Sequence, residues 1–225
     1  LEMLEKISVG IQKLVKKGDK DALKKAQYID QVISHLSSGM SARSIENISE
    51  IKSYLNEYNL ITLKPVIYVC NVDENSIIDG NKFSASFKDH IKSNIILISA
   101  DIESQIATLS NEEQSDFLSS LGLEESGLNK IIREGYDTLN LITYFTSGEM
   151  ESRAWTIEKN TLAPDAAGKI HTDFKSGFIR AETISSEDFI TCKGETKARE
   201  LGKLRSEGKE YAVQDGDVMH FLFNN

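Results

Sequence analysis

The run Lys64-Pro65-Val66-Ile67-Tyr68-Val69-Cys70-Asn71-Val72-Asp73-Glu74 divides sharply into an apolar half and a polar half. Val66 to Cys70 are five apolar or aromatic residues in a row, mostly β-branched. Such a run does not tolerate water on either face, so it reads as an inner strand of a parallel sheet. The polar residues then end it abruptly. In open α/β sheets ligands bind beyond the carboxyl ends of the strands, where Asn71, Asp73 and Glu74 fall.

Two readings fit Asn71 to Glu74. One is a strand followed by an Asx-type turn. The other is base recognition, because Asn-x-x-Glu after a buried strand resembles the base-reading motif of nucleotide-binding G domains, with Glu74 where guanine-specific members carry Asp. The shorter Asp accepts both the ring N–H and the exocyclic amine of guanine. Adenine presents an acceptor where guanine presents a donor, so Glu argues against strict guanine selectivity. A second buried strand, Ile95 to Ile98, ends in Ser99-Ala100 and enters a helix through Asp101. Ser-Ala at a strand end resembles the last nucleotide motif of G domains, where backbone N–H groups approach the base. Its order and separation from Asn71 give it weight.

At 225 residues and 40% hydrophobic, the chain can bury the core of one large domain or of two to three small ones. A net charge of −9 makes no global case for nucleic acid, so such a contact has to come from a local basic patch. Cys70 and Cys192 have no metal-type spacing and read as free thiols in a reducing compartment. With no apolar run near the roughly 18 residues of a membrane span and no signal peptide, the expectation is a soluble cytoplasmic protein without a membrane partner.

Leu4, Ile7, Ile11 and Leu14 form a helical seam that resumes, after a polar turn at Lys16 to Asp21, with Leu23, Ala26, Ile29, Val32, Ile33 and Leu36. This predicts an antiparallel helical hairpin ending near Ser37 to Gly39. The first helix has no capping residue ahead of it, which predicts that the chain begins part-way through a longer protein. Lys13, Lys16, Lys17, Lys20, Lys24 and Lys25 face only Asp19 and Asp21 at the hairpin tip. The tip is either a solvated face or a contact for a phosphate backbone, ribosomal RNA being the candidate. A connecting helix is expected over Ser41 to Leu60, and further helices over Asn111 to Ser120 and Ser126 to Tyr144. A linker at Thr146-Ser147-Gly148 would then precede a small α+β domain of β-grasp type. Its expected strands are Arg153 to Ile157, Phe178 to Ile184, Tyr211 to Val213 and Val218 to Phe223, with Glu187 to Leu204 mostly helical. The domains would be 1–58 helical, 59–147 α/β and 148–225 β-grasp.

The run from Arg153 to Glu182, RAWTIEKNTLAPDAAGKIHTDFKSGFIRAE, and Tyr211 to Phe221, YAVQDGDVMHF, closely resemble the YchF family of Obg-like ATPases. The likeness extends through Leu121 to Leu128 (LGLEESGL), Leu141 to Thr146 (LITYFT) and Asn71 to Glu74, and so covers essentially the whole chain. It implies an α/β fold: a partial P-loop NTPase (G domain) sheet with a helical coiled-coil hairpin insertion, followed by a TGS domain of β-grasp type. It implies an ATP-preferring, ribosome-associated NTPase that also takes GTP, with Asn71 on the adenine edge, Val72 approaching the base through its backbone, Glu74 in place of the guanine-reading Asp, and Ser99 and Ala100 closing the pocket.

These residues contain no Gly-x-x-x-x-Gly-Lys-Ser/Thr, so the phosphate cradle, the Mg²⁺ ligand and the water-positioning groups are missing from them. The expectation is a C-terminal fragment that does not hydrolyse ATP by itself. A few base hydrogen bonds of about 0.5–1.5 kcal/mol each leave roughly millimolar affinity or weaker, so neither ATP nor GTP should stay bound. Lys193, Lys197, Arg199, Lys203, Arg205 and Lys209 face only Glu195, Glu200 and Glu207 and give the terminal domain a second basic surface. Together with Lys169, Lys175 and Arg180 it is a candidate contact for RNA phosphates, a reading the TGS resemblance supports, with Arg180 and Phe178 the first residues to mutate. No catalytic residue and no metal ligand is assigned. His171 and His220 read as structural or surface residues. The competing reading is a non-enzymatic module that engages ribosomal RNA or a protein through the helical tip and the terminal domain.

Overall fold

Residues 1–91, 93–148 and 151–224 are described by the computed structural model. They fall into two units, Leu1–Val66 and Ile67–Asn225.

In the first unit helix α1 (Glu2–Val15) turns back through a loop into α2 (Lys20–Ser37). Gly18 permits the reversal with φ +83°, and the Asp19 carboxylate accepts the N–H groups of Asp21 and Ala22 at 3.0 and 3.1 Å, which caps α2. Leu4 and Ile11 meet Ala26, Ile29 and Val32 in the seam, as the spacing predicts. Leu14 and Leu23 are instead about half exposed, because at the tip it is Ala22, one residue round the helix, that packs inward. The connecting helix expected over Ser41 to Leu60 is shorter, α3 (Ile48–Leu55), flanked by single 3-10 turns at Ala42–Ser44, Asn56–Tyr58 and Ile61–Leu63. Ile51, Leu55 and Leu63 close the same core, which is why this unit runs to Val66 rather than to residue 58.

The second unit opens with β1 (Val69–Asn71), followed by α4 (Lys82–Ile91), β2 (Ile96–Ile98), α5 (Ala100–Ile106), α6 (Asn111–Ser120) and α7 (Gly127–Thr138). β1 and β2 pair in parallel, Val69 with Ile96 and Asn71 with Ile98. The strand expected to be buried on both faces is three residues long here, with Val66 39% and Val69 41% exposed, since β2 is its one partner among the described residues. Val72, Ile77, Ile102 and Ile106 form the core beneath.

The helix expected over Ser126 to Tyr144 stops at Thr138. Asn140 takes a left-handed conformation (φ 56°), and the chain continues as β3 (Leu141–Ser147). Next come β4 (Ser152–Glu158), α8 (Ala163–Ile170), α9 (Thr172–Ser176), β5 (Phe178–Ser185), α10 (Ser186–Thr191), α11 (Glu195–Glu200), β6 (Arg205–Glu207) and β7 (Asp217–Phe223). The sheet order is β4-β3-β7-β5-β6, with β3 and β7 parallel and the other pairs antiparallel, a β-grasp arrangement. Thr146 and Ser147, expected in a linker, are the last rungs of the β3–β4 ladder, opposite Arg153 and Ser152. Met150, just beyond the expected linker, lies outside the described residues.

The long helix expected over Glu187 to Leu204 splits at Lys193 (φ 57°) and Gly194 (φ 127°). Tyr211 to Val213 makes a single bridge, Ala212 to Leu162, rather than a strand. α8 packs on the sheet through Ala163, Ala166 and Ala167, and the fully buried Tyr144 donates its hydroxyl to the Ala166 carbonyl at 2.8 Å. Both cysteines are free, Cys70 half-buried and Cys192 buried. Among the described residues no helix is long and apolar enough to cross a membrane.

Candidate base-binding site

Because β1 and β2 are parallel neighbours, their carboxyl ends open on one edge, and the two motifs meet there. The Ala100 N–H donates to Asn71 Oδ1 at 3.0 Å, and the Val72 N–H donates to the Ile98 carbonyl at 2.8 Å. Asn71 therefore has its acceptor occupied. Its Nδ2, which donates to no described residue, is left with two N–H groups for a ligand.

Val72 is buried in the core below, and with its N–H in the ladder only its carbonyl remains to approach a ligand. Asp73 accepts from the Ser76 hydroxyl at 2.9 Å. Glu74 opens a 3-10 turn, Glu74–Ser76, and its Oε1 accepts from Gln105 Nε2 at 2.8 Å. Ser99 is 1% exposed, and its hydroxyl caps α5 by accepting the Ile102 N–H at 3.5 Å, so it supports the edge from beneath. Ala100 lies exposed above it, its N–H already given to Asn71.

Two neighbours of this edge lie outside both sequence motifs. Gln105 reaches Glu74 from the second turn of α5, a contact between residues 31 apart that neither motif encodes. Glu103 accepts the N–H groups of Gly127 and Leu128 at 2.7 and 3.3 Å and so fixes the start of α7 against α5. A cavity of about 1170 Å³ lies elsewhere, between α7, β3 and the Gln214–Gly216 turn, and shares no residue with this edge.

The basic candidates separate into two groups. Lys24 is paired with Glu50, and the hydrogen bond between them, reinforced by charge, raises the pKa of Lys24 and lowers that of Glu50. Lys175 pairs with Asp165, Arg180 with Glu182 at 3.7 Å, Lys203 with Asp188 at 3.3 Å, and Arg205 with Asp217 at 3.1 Å. Among the described residues Lys16, Lys17, Lys20, Lys169 and Lys197 make no ion pair. Phe178 is in the core, 5% exposed, because its strand position faces α8 rather than solvent.

The YchF-GTPase_C family model, described as "Protein of unknown function (DUF933)", matches residues 141–224, starting where β3 starts. The chain is 46% identical over 227 residues to a protein of Escherichia coli O157:H7 named ribosome-binding ATPase YchF, covering all of this chain and 62% of that protein. It is 44% identical over 229 residues to the protein of the same name from Bacillus subtilis, covering all of this chain and 63% of the relative. The solved YchF GTPase of Schizosaccharomyces pombe superposes with a TM-score of 0.84 at 34% identity, over 98% of this chain and 61% of that one. The chain thus spans about three-fifths of the length of the relatives it matches.

Proposed function

This chain belongs to the YchF family, and from that premise we propose that it carries the base-reading part of a nucleotide site within a ribosome-associated, ATP-preferring P-loop NTPase of the cytoplasm. The observation that carries the reading is the Ala100 N–H bond to Asn71 Oδ1, which joins the two motifs at one strand edge. It leaves a pair of amide donors there for a purine ring nitrogen, with the Glu74 carboxylate beside them as acceptor. Asn71, Val72, Glu74, Ser99 and Ala100 are the proposed nucleotide-binding residues: Asn71 through its amide, Val72 through its carbonyl, Glu74 through its carboxylate, and Ser99 and Ala100 as the wall that holds Asn71.

These residues fit the base of ATP or GTP, and they do not fit its phosphates. The triphosphate and its Mg²⁺ call for a glycine-rich loop of the Gly-x-x-x-x-Gly-Lys-Ser/Thr type, which these 225 residues do not contain. The proposed organisation keeps a helical part, the α/β part and a β-grasp part, with the last boundary at Asn140/Leu141, where β3 begins.

Titration of the chain with AMP, followed by amide NMR, tests the reading. Saturating shifts are expected at the Ala100 amide and the Asn71 side-chain amide, with a dissociation constant of roughly a millimolar or weaker. Asn71→Ala should abolish them, and no ATP turnover is expected. Absence of shifts at this edge, or their survival in Asn71→Ala, would reject the site. A second reading, a module that binds ribosomal RNA without nucleotide, is favoured by the ion-pair-free lysines at the hairpin tip, and it is tested through salt dependence below.

A further inference from the structure

We infer that Gln105 sets the preference of this edge for adenine over guanine, an inference that rests on the base-binding reading above. A carboxylate with both oxygens free is a double acceptor. It therefore suits guanine, whose ring N1–H and exocyclic N2 amine are neighbouring donors. In this chain Glu74 is not free in that way: Gln105 Nε2 donates one of its two hydrogens to Glu74 Oε1 at 2.8 Å.

What the pair offers a ligand is consequently different from what Glu74 offers alone. Glu74 Oε2 remains an acceptor, and the second hydrogen on Gln105 Nε2 is a donor beside it. Adenine presents the complement of that pattern, the N6 amine as donor and N1 as acceptor. Guanine presented to the same pair meets an amide hydrogen with its own N1–H, two donors face to face. Asn71 does not discriminate, because its amide donors address N7, an acceptor that both purines carry.

Glu74 by itself, with both oxygens accepting, would favour guanine. Selection of adenine requires the side chain from α5 that occupies half of it. Gln105 is solvent-exposed on the second turn of that helix, while its neighbours Ile102 and Ile106 hold the helix in the core, so replacing it leaves the packing intact.

The test compares AMP and GMP titrations of the whole chain by amide NMR, in the wild type and in Gln105→Ala and Gln105→Met. Met keeps the length of the side chain and removes the donor. The wild type is expected to bind AMP more tightly than GMP. Both variants should narrow the ratio of the two dissociation constants by about tenfold, the size of one base-edge hydrogen-bonding contact, with the Ala100 shifts retained and the thermal midpoint unchanged. An unchanged ratio in both variants, with AMP still shifting Ala100, would overturn the role of Gln105 and leave the site standing. No binding of either nucleotide by the wild type would overturn both.

Discussion

Asp217 is a carboxylate only 3% exposed, and such a group is stable in the interior only when its lone pairs are taken. Three donors take them: Arg205 Nη2 at 3.1 Å, the Tyr211 hydroxyl at 2.7 Å and the Gln214 N–H at 2.9 Å. This network is why Arg205, a candidate RNA contact from sequence, serves the fold as well. Burial, and then the hydrogen bond to Asp217, push the Tyr211 phenol up to about 12. The phenol is stabilised in its neutral form, so its contribution is fully present below the unfolded tyrosine value of about 10 and is lost as pH rises through about 12. Tyr211→Phe keeps the ring and leaves Asp217 one donor short. It should lower stability by about 1–3 kcal/mol in urea unfolding at pH 7 and flatten part of the fall in stability between about pH 10 and 12. A variant with the wild-type urea midpoint would show that the network does not hold the domain.

Close approach between elements makes opposite predictions for two glycines. A Cβ on Gly177, just before β5, would lie 1.9 Å from the Asn224 carbonyl oxygen, where the ends of β5 and β7 are joined by the Asn224 N–H bond to the Gly177 carbonyl at 2.9 Å. Gly177→Ala should cost about 1–3 kcal/mol through overpacking. Gly135 sits inside α7 with open space around it, so Gly135→Ala should raise stability by about 0.5–1 kcal/mol. Thermal melts of the two variants moving in the same direction would contradict this packing. Legibility from sequence also varied by element. The hairpin was legible because its apolar period persists over many turns, and α6 has the expected bounds because Ser110 and Glu113 form a reciprocal capping box. β3 is masked in the sequence because Leu139 and Ile142 continue the three-residue step of α7. The signals against a helix were Asn140, which takes the left-handed turn, and the β-branched and aromatic Ile142-Thr143-Tyr144-Phe145-Thr146 after it. At the candidate site, strand order was enough to bring Asn71 to Ala100. The donation of the Ala100 N–H to Asn71 and the hold of Gln105 on Glu74 depend on side-chain placement across 29 and 31 residues, which no local pattern carries.

Across the molecule, 35 acidic residues against 26 basic ones leave no general attraction for a polyanion, so any binding of RNA has to come from lysines whose charge is not already satisfied. That condition separates Lys16, Lys17, Lys20, Lys169 and Lys197 from Lys24, Lys175, Arg180, Lys203 and Arg205, each of which is held by a carboxylate. A lysine already paired releases little counterion when it meets a phosphate, because it must first give up its partner. If the hairpin tip binds duplex RNA, replacing Lys16, Lys17 and Lys20 together by Ala should reduce the steepness of log K against log salt by roughly 2–3, about 0.9 per phosphate lost. Lys203→Ala, which removes a paired charge, should leave that slope nearly unchanged. Filter binding or fluorescence anisotropy over a salt series measures both. A flat salt profile in the wild type would reject electrostatic RNA binding by this chain, and equal slope changes in the two variants would show that ion pairing within the fold does not decide which lysines are available.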